Sequence, residues 1–339
     1  MTFSRLSSNG QKDPTLNPTN KESVIYRLHP EREKGKLIFQ IGTATPALAV
    51  QAARLVAGDV AGIDVNSGCP KPFSTSGGMG AALLKDPDRL CSILEALVQE
   101  VGKPFGIGIS VKIRILGTQD KTVALVRRLC QTGIHGLTVH CRTTPMRPRE
   151  RAIRDQLKAI VETCHEAGIS CVMNGDVENR EQALQLMQDY GADGAMIATA
   201  AEKNPSVFRA KKDGGTAPWR EVVREYVNEA LSVDNRWANT KFLLSQLIPG
   251  KEEKSINIAQ CKSHEQVMQA LGYDDLLDVA RDLDVRLDIN RTNLSRAVKR
   301  VAAREEAKAK KARTIDTAAE PSDMISEVTA NSVTPAISV

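Results

Sequence analysis

The sequence predicts an α/β fold: a TIM (β/α)8-type barrel of which about six βα units are legible, then a small α-helical domain and a disordered C-terminal tail. Three observations predict it. Short apolar runs alternate with helix-periodic stretches between residues 36 and 200, the signature of successive βα units on a parallel sheet. Polar residues gather at the C-terminal ends of several different runs. From about residue 217 the strand pattern stops.

In order, residues 1–22 are rich in Ser, Asn, Pro and Thr and read as disordered. Residues 24–28 (VIYRL) read as a possible remnant strand. Six buried-strand runs follow: 37–42 (LIFQIG), 62–66 (GIDVN), 107–115 (IGISVKIRI), 136–140 (GLTVH), 170–174 (SCVMN) and 194–198 (GAMIA). Helical periodicity places Val123, Val126, Leu129 and Cys130 on one face of 120–132, with Gly133 as the stop. It places Ile153, Leu157, Ile160, Val161 and Cys164 on one face of 151–166, and Leu184, Met187 and Tyr190 on one face of 180–190. An open doubly wound sheet and a barrel both fit this alternation. No G-x-G-x-x-G follows the first strand, which weakens the dinucleotide-binding form. Gln40, Asn66, Lys112, Arg114, His140 and Asn174 all fall at strand C-termini, the face on which a (β/α)8 barrel builds its site. Residues 217–232 and 239–248 read as helices, with short helical pieces to 282. The predicted organisation is 1–22 disordered, 23–212 barrel domain, 213–285 helical domain, 286–313 basic helix and 314–339 disordered tail.

The composition excludes several classes. Of 339 residues, 41% are hydrophobic and 26% charged, ordinary for a globular chain. Aromatics are 4%, too few for a stacking-driven single-strand binder. No run has the ~18–20 apolar residues of a membrane span, and the first residues lack a signal-peptide apolar region, so the expected location is cytoplasmic or nuclear. Seven dispersed cysteines without C-x-x-C argue against a disulfide framework. The net charge of +5 is local: residues 294–313 hold eight Lys or Arg against two Glu. Arg296, Lys299, Arg300, Arg304, Lys308, Lys310 and Lys311 in this segment suit the phosphates of an RNA, and equally a solvated surface helix.

The chemistry-bearing stretch is 64–85 (DVNSGCPKPFSTSGGMGAALLK). Asp64 and Asn66 share a strand face, and Gly68-Cys69-Pro70 breaks that strand, leaving Cys69 on a loop at the mouth of the sheet. Gly77, Gly78 and Gly80 read as a turn, a mobile loop, or a close approach to a ligand. Lys112 and Arg114 alternate with Ile113 and Ile115, and two cations on one face of a buried strand must meet solvent or an anion. Cys91, Cys130, Cys164 and Cys171 read as core. His140-Cys141, Cys164-His165 and Cys171 are spaced too irregularly for zinc, and no metal is expected. His29, His135 and His264 receive no role.

The order N-x-G-C-P (66–70), K-I-R (112–114), V-H-x-R (139–142) and N-G-D (174–176) resembles the tRNA-dihydrouridine synthase family. The string G-C-P-K-x-x-S-T-x-G-G-M-G-A-A-L-L, with F-Q-I-G-T before it and N-P-S-V-F and A-N-T-K after it, is most like the eukaryotic tRNA-dihydrouridine(20) synthase group. The likeness runs from about residue 24 to about 275. It implies a TIM barrel holding FMN, with NAD(P)H as reductant and tRNA as substrate and partner. Hydride passes to C6 of a uridine, and a cysteine acid, here Cys69, protonates C5. An ordinary thiol, with a pKa of ~8.5, is protonated near neutral pH and able to donate. The resemblance also implies flavin contacts at Gln40, Lys112 and His140, a flavin phosphate site at Asn174, Gly175, Asp176, Ala198 and Thr199, and substrate contacts at Asn66, Arg114 and Arg142.

The chain departs from the family in two places. Six strands are visible where a barrel has eight, and the family's Pro-Met turn is missing. Thr199 stands where many members carry an arginine on the phosphate; a hydroxyl bonds phosphate without charge. These departures keep two alternatives open: an impaired or inactive tRNA-binding paralogue or truncated gene product, and a flavin- or phosphate-binding barrel oxidoreductase acting on a small metabolite.

Overall fold

The computed structural model describes residues 2–4 and 24–289. The basic segment with its seven predicted phosphate contacts, and the tail, lie outside the described residues. The chain divides into two compact units between Val222 and Val223, inside the helix Trp219–Ser232.

The first unit is built on a six-stranded parallel sheet in sequential order. Its strands are β3 (Ile38–Ile41), β4 (Gly62–Asn66), β5 (Gly108–Arg114), β6 (Gly136–His140), β7 (Ser170–Asn174) and β8 (Gly194–Met196). Sequential parallel order with a helix after each strand is part of a TIM barrel. All six predicted runs are strands. β1 (Thr2–Ser4) and β2 (Val24–Arg27) pair antiparallel in a separate two-stranded sheet. Residues 24–28 therefore add no strand to the barrel sheet. β1 falls in the segment expected to be disordered, whose residues 1 and 5–22 lie outside those described.

The sheet has two chemically different faces. Along β5, Ile109, Val111 and Ile113 are fully buried, while Gly108, Ser110, Lys112 and Arg114 are half-buried. A parallel strand covered on both sides is apolar throughout; this alternation means that only one face is packed. The apolar face meets the outer helices through Leu90, Ile93, Leu94, Val126, Leu129, Ile160 and Val161. Burying each such side chain contributes about 1.5–3 kcal/mol. The inner face is tiered by strand register. Gln40, Asp64 and Ser110 form one row; Asn66, Lys112 and Thr138 the next; Arg114, His140, Asn174 and Met196 the last.

The helices start where short polar side chains cap them. Asp86 accepts from Arg89 N–H ahead of Pro87–Leu97, Thr118 from Lys121 N–H ahead of Gln119–Cys130, and Asn179 from Gln182 N–H ahead of Arg180–Tyr190. Two predicted helix faces need correction. The helix expected over 151–166 spans only Leu157–Glu166, and Ile153 is 39% exposed, because Ile153 N–H donates to Cys141 O in a loop. In Arg180–Tyr190 the inward residue is Ala183, and Leu184 is 47% exposed.

The second unit is helical: Trp237–Leu247, Gly250–Ile256, His264–Leu271 and Leu277–Arg286 follow the shared helix. Trp237, Leu244, Leu247, Val267, Met268 and Leu283 are buried in it. Among the described residues no helix is long and apolar enough to cross a membrane.

Candidate functional site

The site grows from the C-terminal end of β4. Asn66 closes the strand, and its Oδ1 accepts from Gly68 N–H (3.1 Å) and Cys69 N–H (3.0 Å). This asparagine turn swings the chain off the sheet and sets the half-buried Cys69 at its mouth. The turn is held from two other sides. Arg114 Nε donates to Gly68 O (2.8 Å), and Ala81 N–H donates to Cys69 O (2.9 Å). Gly80 has φ +58°, and a Cβ there would lie 2.4 Å from Ser74 Oγ and 2.6 Å from Cys69 O. The glycine-rich stretch is thus a packed turn seated on Cys69. Only glycine fits its closest approach.

Behind Asn66 runs a polar chain. Its Nδ2 donates to Gln40 Oε1 (3.0 Å), and Gln40 Nε2 donates to Asp64 Oδ2 (2.7 Å). Ser110 Oγ donates to Asp64 Oδ1 (2.7 Å). Burial pushes the Asp64 carboxyl above the ordinary range, against the opposing effects of Gln40, Ser110 and Lys112. Burial likewise lowers Lys112, with Asp64 as its compensating charge. Among the described residues no hydrogen bond or ion pair is made by Lys112 Nζ, so the sheet offers an uncommitted cation beside the Cys69 turn.

The last tier is crowded with positive charge. Arg142 Nη1 faces His140 Nε2 at 3.2 Å. A guanidinium only donates, so Nε2 accepts and Nδ1 carries the hydrogen. Desolvation first, then Lys112, Arg114 and Arg142, lower His140 to about 3. It is a neutral ring whose Nδ1–H is a donor. Burial lowers Arg114 as well, followed by the repulsion of Arg142. Arg114 Nη1 also donates to Thr143 O (2.9 Å).

Arg142 is only 5% exposed and its guanidinium is committed. It pairs with Asp176, and donates to Glu150 O (2.7 Å) and Pro148 O (3.2 Å). Asp176 also accepts from Ala152 N–H (2.7 Å). Desolvation would raise Asp176, but the Ala152 N–H and Arg142 more than offset it and leave its carboxyl below the usual range. Arg154 Nη2 donates to Gly175 O (2.7 Å) and Asp176 O (3.2 Å). The contacts of Arg142, Asp176 and Arg154 therefore clamp the loop after β6 to the loop after β7. Gly175 has φ +122°, with Ala152 Cβ and His140 Cδ2 where its own Cβ would point. Asn174 Nδ2 donates to Met196 O (3.0 Å) and ties β7 to β8. Ala198 and the exposed Thr199 open the five-residue helix Thr199–Lys203.

The structure thus brings Gln40, Asn66, Cys69, Lys112, Arg114 and His140 into one continuous network or adjoining tiers. Arg142 and Asp176 stand behind them as loop-holding groups. Sequence reasoning placed Asp64 on the Asn66 face without giving it a role, and passed over Ser110 and Arg154. The two-residue spacing of Asp64 and Asn66 was the available signal for Asp64. Cys130, Cys164 and Cys171 are buried as expected and Cys91 is half-buried. His135 Nδ1 accepts from Ile109 N–H (3.3 Å). No group of three His, Cys, Asp or Glu among the described residues is arranged to hold a metal ion.

The family profile for Dihydrouridine synthase (Dus) matches residues 16–252. A tRNA-dihydrouridine(20) synthase [NAD(P)+] of Schizosaccharomyces pombe is 50% identical over 259 residues, covering 76% of this chain and 53% of that protein. Its Saccharomyces cerevisiae counterpart of the same name is 46% identical over 261 residues, covering 75% of this chain and 67% of that protein. A tRNA-dihydrouridine(20a/20b) synthase [NAD(P)+] of S. cerevisiae is 32% identical over 200 residues, covering 59% and 53%. The chain spans about half the length of the first of these relatives. On the extent of the profile match and these identities, the chain belongs to the dihydrouridine synthase (Dus) family and is similar to its tRNA-dihydrouridine(20) synthase group.

Proposed function

We propose that this chain carries the site that reduces a uridine of tRNA, at position 20, to 5,6-dihydrouridine. The observation that carries the reading is the held thiol: Cys69 sits on a turn fixed by Asn66, Arg114 and Ala81, beside the uncommitted cation of Lys112. The cluster fits a flavin ring. Lys112 Nζ, the Nδ1–H of His140 and the second Nδ2–H of Asn66 are all donors, matched to an acceptor-rich ring that becomes anionic on reduction. The phosphate end fits less well, because Arg142 is engaged by protein groups, Arg154 gives its Nη2 to backbone carbonyls while its buried Nε is left without a partner, and Thr199 adds a hydroxyl without charge. These residues would hold the ring of FMN, which, bound and reduced by NAD(P)H, would supply the hydride for C6 of the uracil.

The chain's own residues do the rest. Lys112 holds the electron-rich side of the ring through charge. Asn66 and Arg114 hold the base over it. The Cys69 thiol gives its proton to C5, and the thiolate left behind lies within electrostatic reach of Arg114. The uridine must leave the tRNA stack to reach this depth, as bases do in other base-modifying enzymes. The helical unit and the basic segment 294–313 are proposed to hold the tRNA by phosphate and shape contacts.

A second reading is favoured by one observation: among the described residues β3 and β8 are each paired on one side only. On that reading the chain binds tRNA without turning it over. Purified protein with a flavin absorption band and dihydrouridine formation lost by at least ~10³-fold in Cys69→Ala, tRNA binding intact, supports the first reading. Colourless protein that still shifts tRNA in a salt-dependent way supports the second. Unchanged turnover in Cys69→Ala refutes the acid assignment.

A further inference from the structure

We propose that Asp64 is a positioning residue that sets the direction of the hydrogen-bond chain ending on the Cys69 turn. Asp64 is 6% exposed and lies two residues before Asn66, in the row beneath Lys112. Its significance for proton transfer rests on the proposed function; the positioning itself does not.

The argument is one of donors and acceptors. A carboxylate only accepts, whereas each amide has one donating and one accepting end. Asp64 accepts from Gln40 Nε2, so Gln40 must turn its Oε1 toward Asn66. Asn66 must then donate from Nδ2, and its Oδ1 is left to face the turn. That oxygen accepts from both Gly68 N–H and Cys69 N–H. Reversing Asn66 would aim an NH2 group at two backbone N–H groups, and reversing Gln40 alone would set its oxygen against the Asp64 carboxylate and its NH2 against that of Asn66. Among the side chains the buried carboxylate is the one member that cannot be reversed, and it imposes from its end the same orientation that the two backbone N–H groups require at the other. Ser110 holds the second oxygen of Asp64 and keeps the carboxylate plane in place.

Two further consequences belong to the same geometry. With Oδ1 engaged twice, the only unengaged polar function of Asn66 is an N–H. Asp64 also places a negative charge beside Lys112, which supports the ammonium form of that half-buried amine.

The test reads backbone amides in the whole chain, without flavin or RNA. Asp64→Asn gives the chain a reversible amide at its root while keeping the side-chain volume. Amide hydrogen exchange at Gly68 and Cys69 is expected to speed up about five- to tenfold, the loss of one net hydrogen bond. Iodoacetamide should then alkylate Cys69 faster, with the other six cysteines unchanged. Gln40→Met cuts the chain one link nearer the turn and should give the same exchange at the same two amides. The double variant should add nothing further. Ser110→Ala removes the other partner of Asp64 and should leave both amides protected. If Asp64→Asn does not fold, Gln40→Met against Ser110→Ala decides the matter alone. Unchanged exchange at Gly68 and Cys69 in Gln40→Met overturns the proposal. So does equal loosening of these amides in Ser110→Ala, which would make Asp64 a general support of the sheet. Loss of the tRNA-reductase reading through an inert Cys69 would leave these exchange results untouched.

Discussion

Two carboxylates, the buried Asp64 of one unit and the half-buried Asp284 of the other, solve the same problem in opposite ways. Asp64 lies in the sheet and receives two side-chain donors, Gln40 and Ser110. Asp284 lies in the helical unit and receives His264 Nδ1 (2.7 Å), His264 N–H (3.1 Å) and Glu265 N–H (2.9 Å). Behind His264, its Nε2 faces Thr240 Oγ1 at 3.3 Å, Asn235 donates to Thr240, and Trp237 packs edge-on at 5.3 Å. Burial acts to raise both carboxyls. At Asp284, His264 and the two backbone N–H groups more than offset it and leave the group below its usual range. At Asp64 burial prevails and the group ends above its usual range. Backbone donors at a helix start are fixed by the helix and cost no side-chain entropy to aim. The Asp284 network closes on itself and holds a fold. Among the described residues the Asp64 network leaves Lys112 Nζ and one Asn66 N–H without a hydrogen-bond partner, and those are the groups a ligand can use.

The sharpest way to break this comparison is His264→Leu. It strips Asp284 and Thr240 of a buried partner and should cost about 3 kcal/mol. A urea titration of helical content reads it. A loss below ~1 kcal/mol would mean that the helical network is as open as the sheet one.

Next in size is the contrast between the two carboxylates themselves. At neutral pH, Asp284→Asn should cost about 1–3 kcal/mol and Asp64→Asn less than about 1 kcal/mol. The pH dependence should carry opposite signs. Asp284, depressed in the fold, contributes stability above its unfolded value of ~3.9 that is lost as pH falls through its folded value. Asp64, raised in the fold, binds its proton more tightly when folded, so its contribution improves as pH falls from the raised value toward ~3.9. Urea midpoints of the two variants measured across pH 3–7 test the signs. Parallel curves would remove the distinction.

The smallest effect concerns His140. Unfolded, it takes a proton near ~6.5; folded, only at about 3. Between those values acid favours the unfolded chain, so His140→Gln should flatten the acid loss of stability there. Because the ring is part-exposed, solvent screening limits the gain to about 1 kcal/mol. An imidazole that titrates near 6.5 by NMR in the folded wild type would contradict the neutral ring.

Legibility in the sequence followed the range of the forces involved. The strands at 62–66, 136–140 and 170–174 were legible to the residue, because apolar runs bounded by Gly or polar residues are local facts. The left-handed Gly133, φ +83°, was legible for the same reason, although the helix Gln119–Cys130 ends three residues before it, at the Gln131 cap. The helix start at Leu157 was not. Residues 151–156 continue the apolar period, but Ala152 N–H and Ile153 N–H bond to Asp176 and Cys141, partners distant in the chain. The pairing of Arg142 with Asp176 met the same obstacle: it depends on two loops meeting, and no spacing rule encodes it.

Residue order alone was enough to read a parallel βα protein with polar strand ends, a strand-breaking turn before Cys69, and a resemblance to the Dus family. These follow from periodicity and from short motifs, which a few neighbouring residues fully specify. Only the tertiary structure decided that Asp64 directs the amides of Gln40 and Asn66, that Arg142 clamps loops, and that His140 is neutral. Each of these depends on which donor meets which acceptor across strands and loops, and on how much water is excluded there. Strand register and burial set both, and neither is a local property of the chain.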